Sequence, residues 1–140
     1  MFDIEKLNTS KLSNEGVKVR FVNPITNEED KDAFVILHGY DSDFYNDNIK
    51  ENIEDAVSTL TALNNKDWLK DVTTSELNDK KARMFFLACS DWGGFTIGKK
   101  KLEFNLENFL LVAKANSIFI ETLETKIGER QTFLAKEQSE

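Results

Sequence analysis

Apolar and polar residues alternate cleanly near the start of the chain. Val17, Val19 and Phe21 are apolar, whereas Lys18 and Arg20 between them are charged. A period of two places the apolar side chains on one face, which predicts a half-buried β-strand. The polar segment "PITNEEDKD" follows and contains the only proline of the chain. The next apolar run, "AFVILHGY", has the length of a strand, so the two runs together predict a β-hairpin.

A helical period replaces this alternation after residue 47. Apolar residues recur every three or four positions with charged residues opposite, which predicts an amphipathic helix. The polar link "NNKDWLKDVTTSE" leads to a second helix, for which Thr74 or Ser75 is the predicted N-cap. The apolar stripe of the first helix consists of Ile49, Ile53, Ala56, Val57, Leu60 and Leu63.

The second helix is predicted from the helical spacing of the segment "SELNDKKARMFFLACSDW", and it is predicted to end at Trp92. Gly93 and Gly94 then act as a stop, and a tight turn is predicted near Gly98. "KKLEF" predicts a short strand or an extended link. The apolar positions of the helix are Leu77, Met84, Phe85, Ala88 and Trp92.

The last part of the chain predicts two further helices. Asn105 is the predicted N-cap of the first, and Gly128 interrupts the second and could mark a kink.

At the other end of the chain, a short helix or anchored lead-in is predicted to stop at Gly16. The apolar residues of the last helix are Phe119, Leu123, Ile127 and Leu134, and those of the lead-in are Phe2, Ile4, Leu7 and Leu12.

These elements predict an α+β protein that is mainly helical, with an N-terminal β-hairpin followed by a bundle of about four α-helices. At 140 residues the chain has the length of one domain. We therefore expect a single domain over residues 1–140, with a strand-containing part (1–47) and a helical part (48–140). Trp68, Trp92 and the 11 phenylalanines are expected to lie mostly in its core.

The charge of the chain narrows the classes of partner. The net charge is −7, and 31% of the residues are charged. An acidic protein lacks the basic face that nucleic acid or an anionic membrane requires, so neither is an expected partner. The single Cys89 cannot form an internal disulfide and is expected to be a buried thiol. With no signal peptide or membrane span in the pattern, a reducing cytoplasm is the expected location, including that of an infected bacterium.

A near-match to a phosphate-binding loop begins at Gly93. The loop G-x-x-x-x-G-K-[ST] needs a strand before it, a helix after it and a hydroxyl for magnesium. Here Gly98 and Lys99 fit, but Lys100 takes the place of the hydroxyl. A helix is predicted before the loop and an extended segment after it. The sequence therefore predicts a structural turn and neither nucleotide nor cofactor.

Three aspartates precede the first predicted helix: Asp41, Asp43 and Asp47. A calcium loop would need a ligand where Tyr45 stands, and its twelfth position would need a glutamate. The aspartates are better explained as caps and as favourable charges near the positive end of the helix. No metal site is predicted.

His38 and Cys89 are the only candidates for a thiol nucleophile with its base. Cys89 is expected inside a helix and His38 at the end of a strand, and neither GxSxG nor HExxH is present. Carboxylates are plentiful, but no pair of them is singled out. The sequence therefore predicts no catalytic residue. An unrecognised hydrolase stays open as a third function, after the two that are given below.

Three segments in this order resemble the tail assembly chaperones of long-tailed bacteriophages and prophages. They are "VKVRFVNPITNE", "ILHGYDSDFY" and "LACSDWGGFTIGKKKLEFNLENFLLV", and "ERQTFLAK" near the end also fits. The similarity spans nearly the whole chain. The turn departs from the family pattern in its apolar "GGFTIG" and its three lysines.

The resemblance implies a non-catalytic, cytoplasmic protein that is absent from the mature virion. Members of the family bind the long, largely helical tape measure protein and keep it soluble until tail tube subunits polymerise around it. A longer, frameshifted form often recruits the tube subunits. The resemblance leaves open whether identical copies associate and whether Asp41 and Asp43 act beyond helix capping. The alternative is a small structural tail or head-completion protein of the virion.

Overall fold

The computed structural model describes residues 15–128 of the chain. The first 14 residues of the predicted lead-in and the position of Leu134 lie outside this range. The strands are β1 (Val17–Val22), β2 (Glu29–Leu37), β3 (Cys89–Gly93), β4 (Thr96–Ile97) and β5 (Lys100–Lys101). The helices are α1 (Asp43–Glu51), α2 (Ile53–Leu63), α3 (Lys66–Asp71), α4 (Thr74–Ala88), α5 (Leu106–Ala115) and α6 (Ser117–Gly128).

The predicted α+β class, mainly helical, is confirmed. The predicted hairpin forms from β1 and β2, which pair antiparallel with Val19 opposite Val35. A further strand, β3, pairs antiparallel with β2, so that β2 is the central strand of a three-stranded sheet. Among the described residues, six helices rather than about four follow the hairpin, because short breaks divide the helical region.

The prediction that a helix continues to Trp92 is wrong. Helix α4 ends at Ala88, and Cys89 is the first residue of β3. On β3, Cys89 lies opposite Leu37 and Asp91 lies opposite Ile36, so Ser90 is an extra residue in the ladder. This β-bulge shifts the alternation of side chains. Cys89 and Trp92 are therefore both buried, while the two residues between them are exposed.

The core lies between one face of the sheet and helices α4, α5 and α6. Phe109, Phe119 and Leu123 are among its largest fully buried side chains. The predicted stripe of the last helix is confirmed at Phe119, Leu123 and Ile127. Aromatic rings fill the centre, where Trp92 contacts Phe95, Phe104 and Phe109.

Two asparagines and a threonine define the helix ends around this core. Asn52 breaks the predicted first helix into α1 and α2. Thr73, rather than the predicted Thr74 or Ser75, caps α4, because its hydroxyl accepts a hydrogen bond from the backbone N–H of Glu76. Asn105 is confirmed as the cap of α5 and accepts from the N–H of Asn108 at 2.8 Å.

Candidate functional site

The glycine- and lysine-containing segment forms a hairpin instead of a phosphate-binding loop. A strand does precede it, contrary to the predicted helix, because Gly93 is the last residue of β3. However, β4 and β5 follow, paired antiparallel around Gly98, and the next helix begins only at Leu106. The predicted turn near Gly98 is thus confirmed. Within residues 15–128, no helix begins beside these glycines, so the helix N-terminus that would bind a phosphate is absent there.

The aspartate-rich segment lies at the start of α1, but its capping residue is Ser42. The Ser42 hydroxyl accepts from the N–H of Tyr45 at 3.0 Å and donates to the carbonyl of Gly39 at 2.7 Å. Asp43 lies in the first turn, where a negative charge is favourable. The prediction that an aspartate caps the helix is therefore wrong. Within residues 15–128, no group of three or more His, Cys, Asp or Glu is arranged to hold a metal ion.

His38 pairs with Ser90 across the sheet. The Nε2 atom of His38 lies 2.9 Å from the Ser90 Oγ, and the imidazole stacks on Phe44 at 4.3 Å between ring centroids. Cys89 is fully buried, and burial raises the pKa of its thiol well above the ordinary value. A thiol with a raised pKa is a poor nucleophile.

The His38–Ser90 pair meets the distance criterion for a nucleophile and its base. Its position argues for a structural role, because neither residue lines either of the depressions described below. The hydrogen bond joins the residue after β2 to the bulged residue of β3. It therefore supports strand pairing at the irregular point of the sheet.

The two tryptophans have different environments. Trp92 is buried in the core, as predicted, and donates its indole N–H to the carbonyl of Leu102 at 3.0 Å. Trp68, on α3, is only half-buried and lines an open groove. The expectation that it belongs to the core is wrong, and its ring is available at the surface.

Helix α2 presents large apolar side chains to solvent and small ones to the protein interior. Ile53, Val57 and Leu60 are 49%, 53% and 42% exposed. Its buried positions are Ala56 and Thr59. At about 100° per residue, the three exposed side chains lie on one flank of the helix, about 100° from the buried pair. We call Ile53, Val57 and Leu60 the apolar flank.

A groove of about 860 Å³ lies between α3, the first half of α4 and α5. Trp68, Leu110 and Leu111 supply its apolar surface, and Leu111 is itself 43% exposed. Uncharged polar residues and charged residues of both signs also line the groove, the charged ones being Glu76, Asp79, Lys80, Glu107 and Lys114. The groove can therefore accept an apolar side chain while keeping polar groups around it.

A smaller cleft of about 130 Å³ lies at the surface where α2 packs on α4. Ala56 and Thr59 form its α2 side, Met84 and Leu87 line α4, and Leu106 reaches it from the start of α5. Leu106 is 37% exposed. The exposed apolar side chains of the helical region thus lie on α2, α3 and α5, around the central helix α4.

Sequence periodicity missed this surface because it assigned all apolar positions of the first helix to one stripe. The distinguishing signal is size: the buried positions carry small residues, whereas Ile53, Val57 and Leu60 are large. Small residues allow α2 to approach α4 closely, which leaves the large side chains on the flank.

No protein-family model matches the chain, and neither a curated protein nor a solved structure is significantly similar to it. No helix within residues 15–128 is long and apolar enough to cross a membrane.

Proposed function

We propose that the protein is a non-catalytic tail assembly chaperone that binds an amphipathic helical segment of a phage tape measure protein. The observation that carries the proposal is the apolar flank of α2, whose three side chains are 42–53% exposed. Large apolar side chains at helical spacing on a surface are typical of helix-in-groove recognition. The motif resemblance to tail assembly chaperones supplies the identity of the client.

The charge distribution supports a client helix with basic residues beside its apolar stripe. Glu54 and Asp55 lie in the first turn of α2, and its last turn contains no basic residue. A client lysine or arginine near the first turn of α2 would gain a favourable interaction with these carboxylates, while the apolar contacts provide most of the affinity. The net charge of −7 keeps the complex dispersed.

The groove beside Trp68 offers a second apolar contact for the same kind of client. Tryptophan side chains that become fully buried at an interface often dominate its binding energy. In this proposal the chaperone acts in the cytoplasm of the bacterial host and leaves before the virion is complete. A frameshifted longer form would bring tail tube subunits to the same complex.

The experiment compares Val57→Asp with Ser58→Asp. Both changes add one negative charge to an exposed position of α2, but only Val57 belongs to the apolar flank. Each variant is co-expressed with the tape measure protein of the same phage, and the soluble fraction of that client is measured. We expect Val57→Asp to lose client rescue, because it removes about 1–2 kcal/mol of apolar contact and would bury a carboxylate.

Ser58→Asp should rescue the client like the unmodified protein, and both variants should unfold at nearly the same temperature. Equal rescue by both variants would show that the apolar flank is not the client site. Failure of the unmodified protein to keep the client soluble would contradict the proposed function. Stoichiometric copies in purified virions, measured by quantitative mass spectrometry, would favour a structural tail or head-completion protein.

A further inference from the structure

The β4–β5 hairpin extends from the core as a short, anchored projection. Thr96 lies opposite Lys101 and Ile97 lies opposite Lys100, which leaves Gly98 and Lys99 as the two-residue loop. Gly98 has a φ of 59°, and a positive φ at this first loop position is what a type II′ turn requires. Residues 96–101 are all exposed.

The base of the hairpin is held in place by the protein interior. The N–H of Leu102 donates to the carbonyl of Phe95 at 2.9 Å, and the Trp92 indole donates to the carbonyl of Leu102 at 3.0 Å. Phe95 and Leu102 also pack against the core. The projection is therefore preorganised, which lowers the entropic cost of binding through its tip.

The tip of the hairpin is positively charged, whereas the chain as a whole is negatively charged. Lys99, Lys100 and Lys101 are consecutive, whereas the chain as a whole carries −7. None of the three forms an ion pair with another residue in the described part of the chain. Since cross-strand pairs share a face, Ile97 stands beside Lys100. Ile97 is 55% exposed, so this face combines an apolar side chain with an ammonium group.

We propose that this hairpin tip is a docking site for an acidic protein segment that carries an apolar residue beside its carboxylates. Carboxylates would pair with the lysines, and the apolar residue would cover Ile97. The observations favour a protein segment over nucleic acid, because the exposed Ile97 offers an apolar contact that a phosphate backbone cannot use. Residues 96–101 also contain no aromatic side chain for base stacking. The site is separate from the apolar flank of α2 and does not depend on the proposed function.

The test uses a fluorescein-labelled peptide in which leucines alternate with pairs of glutamates. A matched peptide has glutamine in place of every glutamate. Binding to the full chain is measured by fluorescence anisotropy for Lys100→Glu, for Ile97→Ser and for the control Lys66→Glu. Lys66→Glu changes the net charge equally at an exposed position of α3, away from the hairpin.

We expect the acidic peptide to bind and the glutamine peptide to bind at least about tenfold more weakly. Lys100→Glu should weaken binding about tenfold, Ile97→Ser about threefold, and Lys66→Glu less than about twofold. Circular dichroism should show that all variants remain folded, because the changed side chains are exposed. Increased salt should weaken binding of the acidic peptide.

Equal loss for Lys100→Glu and Lys66→Glu would overturn the proposal, since binding would then follow net charge alone. Failure of the acidic peptide to bind at low salt would also overturn it. Uridine-rich RNA and phosphatidylserine vesicles serve as further probes. If either of these probes binds more tightly than the peptide, and that binding requires Lys100, the protein-segment proposal is wrong.

Discussion

Replacing Trp92 tests how much its packing among the aromatic rings of the core contributes to stability. Trp92 is 6% exposed, and its ring centroid lies 4.6 Å from that of Phe95 and 6.0 Å from that of Phe109. Truncation to alanine leaves a cavity among these rings. For a buried large aromatic side chain, we expect the free energy of unfolding to fall by about 3–5 kcal/mol.

A second substitution separates packing from hydrogen bonding at the same position. Trp92→Phe keeps much of the ring volume but removes the N–H that donates to the carbonyl of Leu102. An acceptor that loses its partner costs about 1–3 kcal/mol when it is buried, and this one is only partly buried. We therefore expect a loss of about 1–2 kcal/mol for Trp92→Phe.

Urea unfolding followed by far-ultraviolet circular dichroism measures both losses, provided that the m value stays constant. Lys99→Ala is the matched control in the neighbouring exposed loop and should change stability by less than about 0.5 kcal/mol. A loss below about 1 kcal/mol for Trp92→Ala would refute the argument, because burial among the rings would then contribute little.

Three further predictions concern single positions. Gly94→Ala should prevent stable folding, because Gly94 has a φ of 77° and an added Cβ would collide with the backbone of Asp32. A Cβ added at Gly98 would meet no atom within 4 Å, so Gly98→Ala should lower stability by only about 1 kcal/mol through its positive φ. Thermal unfolding of the two variants distinguishes these outcomes. Burial raises the pKa of the Cys89 thiol, so the unfolded chain loses this proton first as the pH rises. The stability that the protonated thiol contributes is therefore fully present at neutral pH. Above about pH 8.5 the free energy of unfolding should fall by up to about 1.4 kcal/mol per pH unit. Cys89→Ala should reduce this slope in urea titrations. Asn105→Ala should lower stability by about 1 kcal/mol in the same assay, since it removes the cap of α5.

Periodicity in the sequence predicted those elements whose side chains follow one regular repeat. The alternation of Val17, Val19 and Phe21 corresponds to the buried face of β1. The spacing of Phe119, Leu123 and Ile127 corresponds to the buried side of α6. In both elements a single partner surface determines which side chains are buried, so the pattern and the structure agree.

The strand at Trp92 was missed because the bulge at Ser90 gives β3 a period of three. Cys89 and Trp92 are buried three positions apart, which is also the spacing of a helix. Local pattern alone cannot separate these two structures; the distinction comes from pairing with Leu37 and Ile36. That pairing involves residues far apart in the chain.

The candidate site was missed for a related reason. Apolar periodicity shows which positions of α2 are hydrophobic but does not show which of two adjacent flanks is buried. The short side chains of Ala56 and Thr59 pack inward, and Val57 is left 53% exposed. Close packing of one helix on another therefore decides the surface, and it depends on the partner helix α4 as much as on α2.

The position of β2 at the centre of the sheet has a consequence for synthesis on the ribosome. One edge of β2 is covered early by its hairpin partner β1, but the other is covered by β3. His38 and Ser90, which join these strands, are 52 residues apart. At about 5–20 residues per second, the ribosome needs about 3–10 s to deliver the missing strand. During that interval the nascent hairpin exposes an unpaired, apolar strand edge, the kind of edge through which chains aggregate. Slow translation between α1 and α4 should therefore lower the soluble yield of this protein even though its folded state is unchanged.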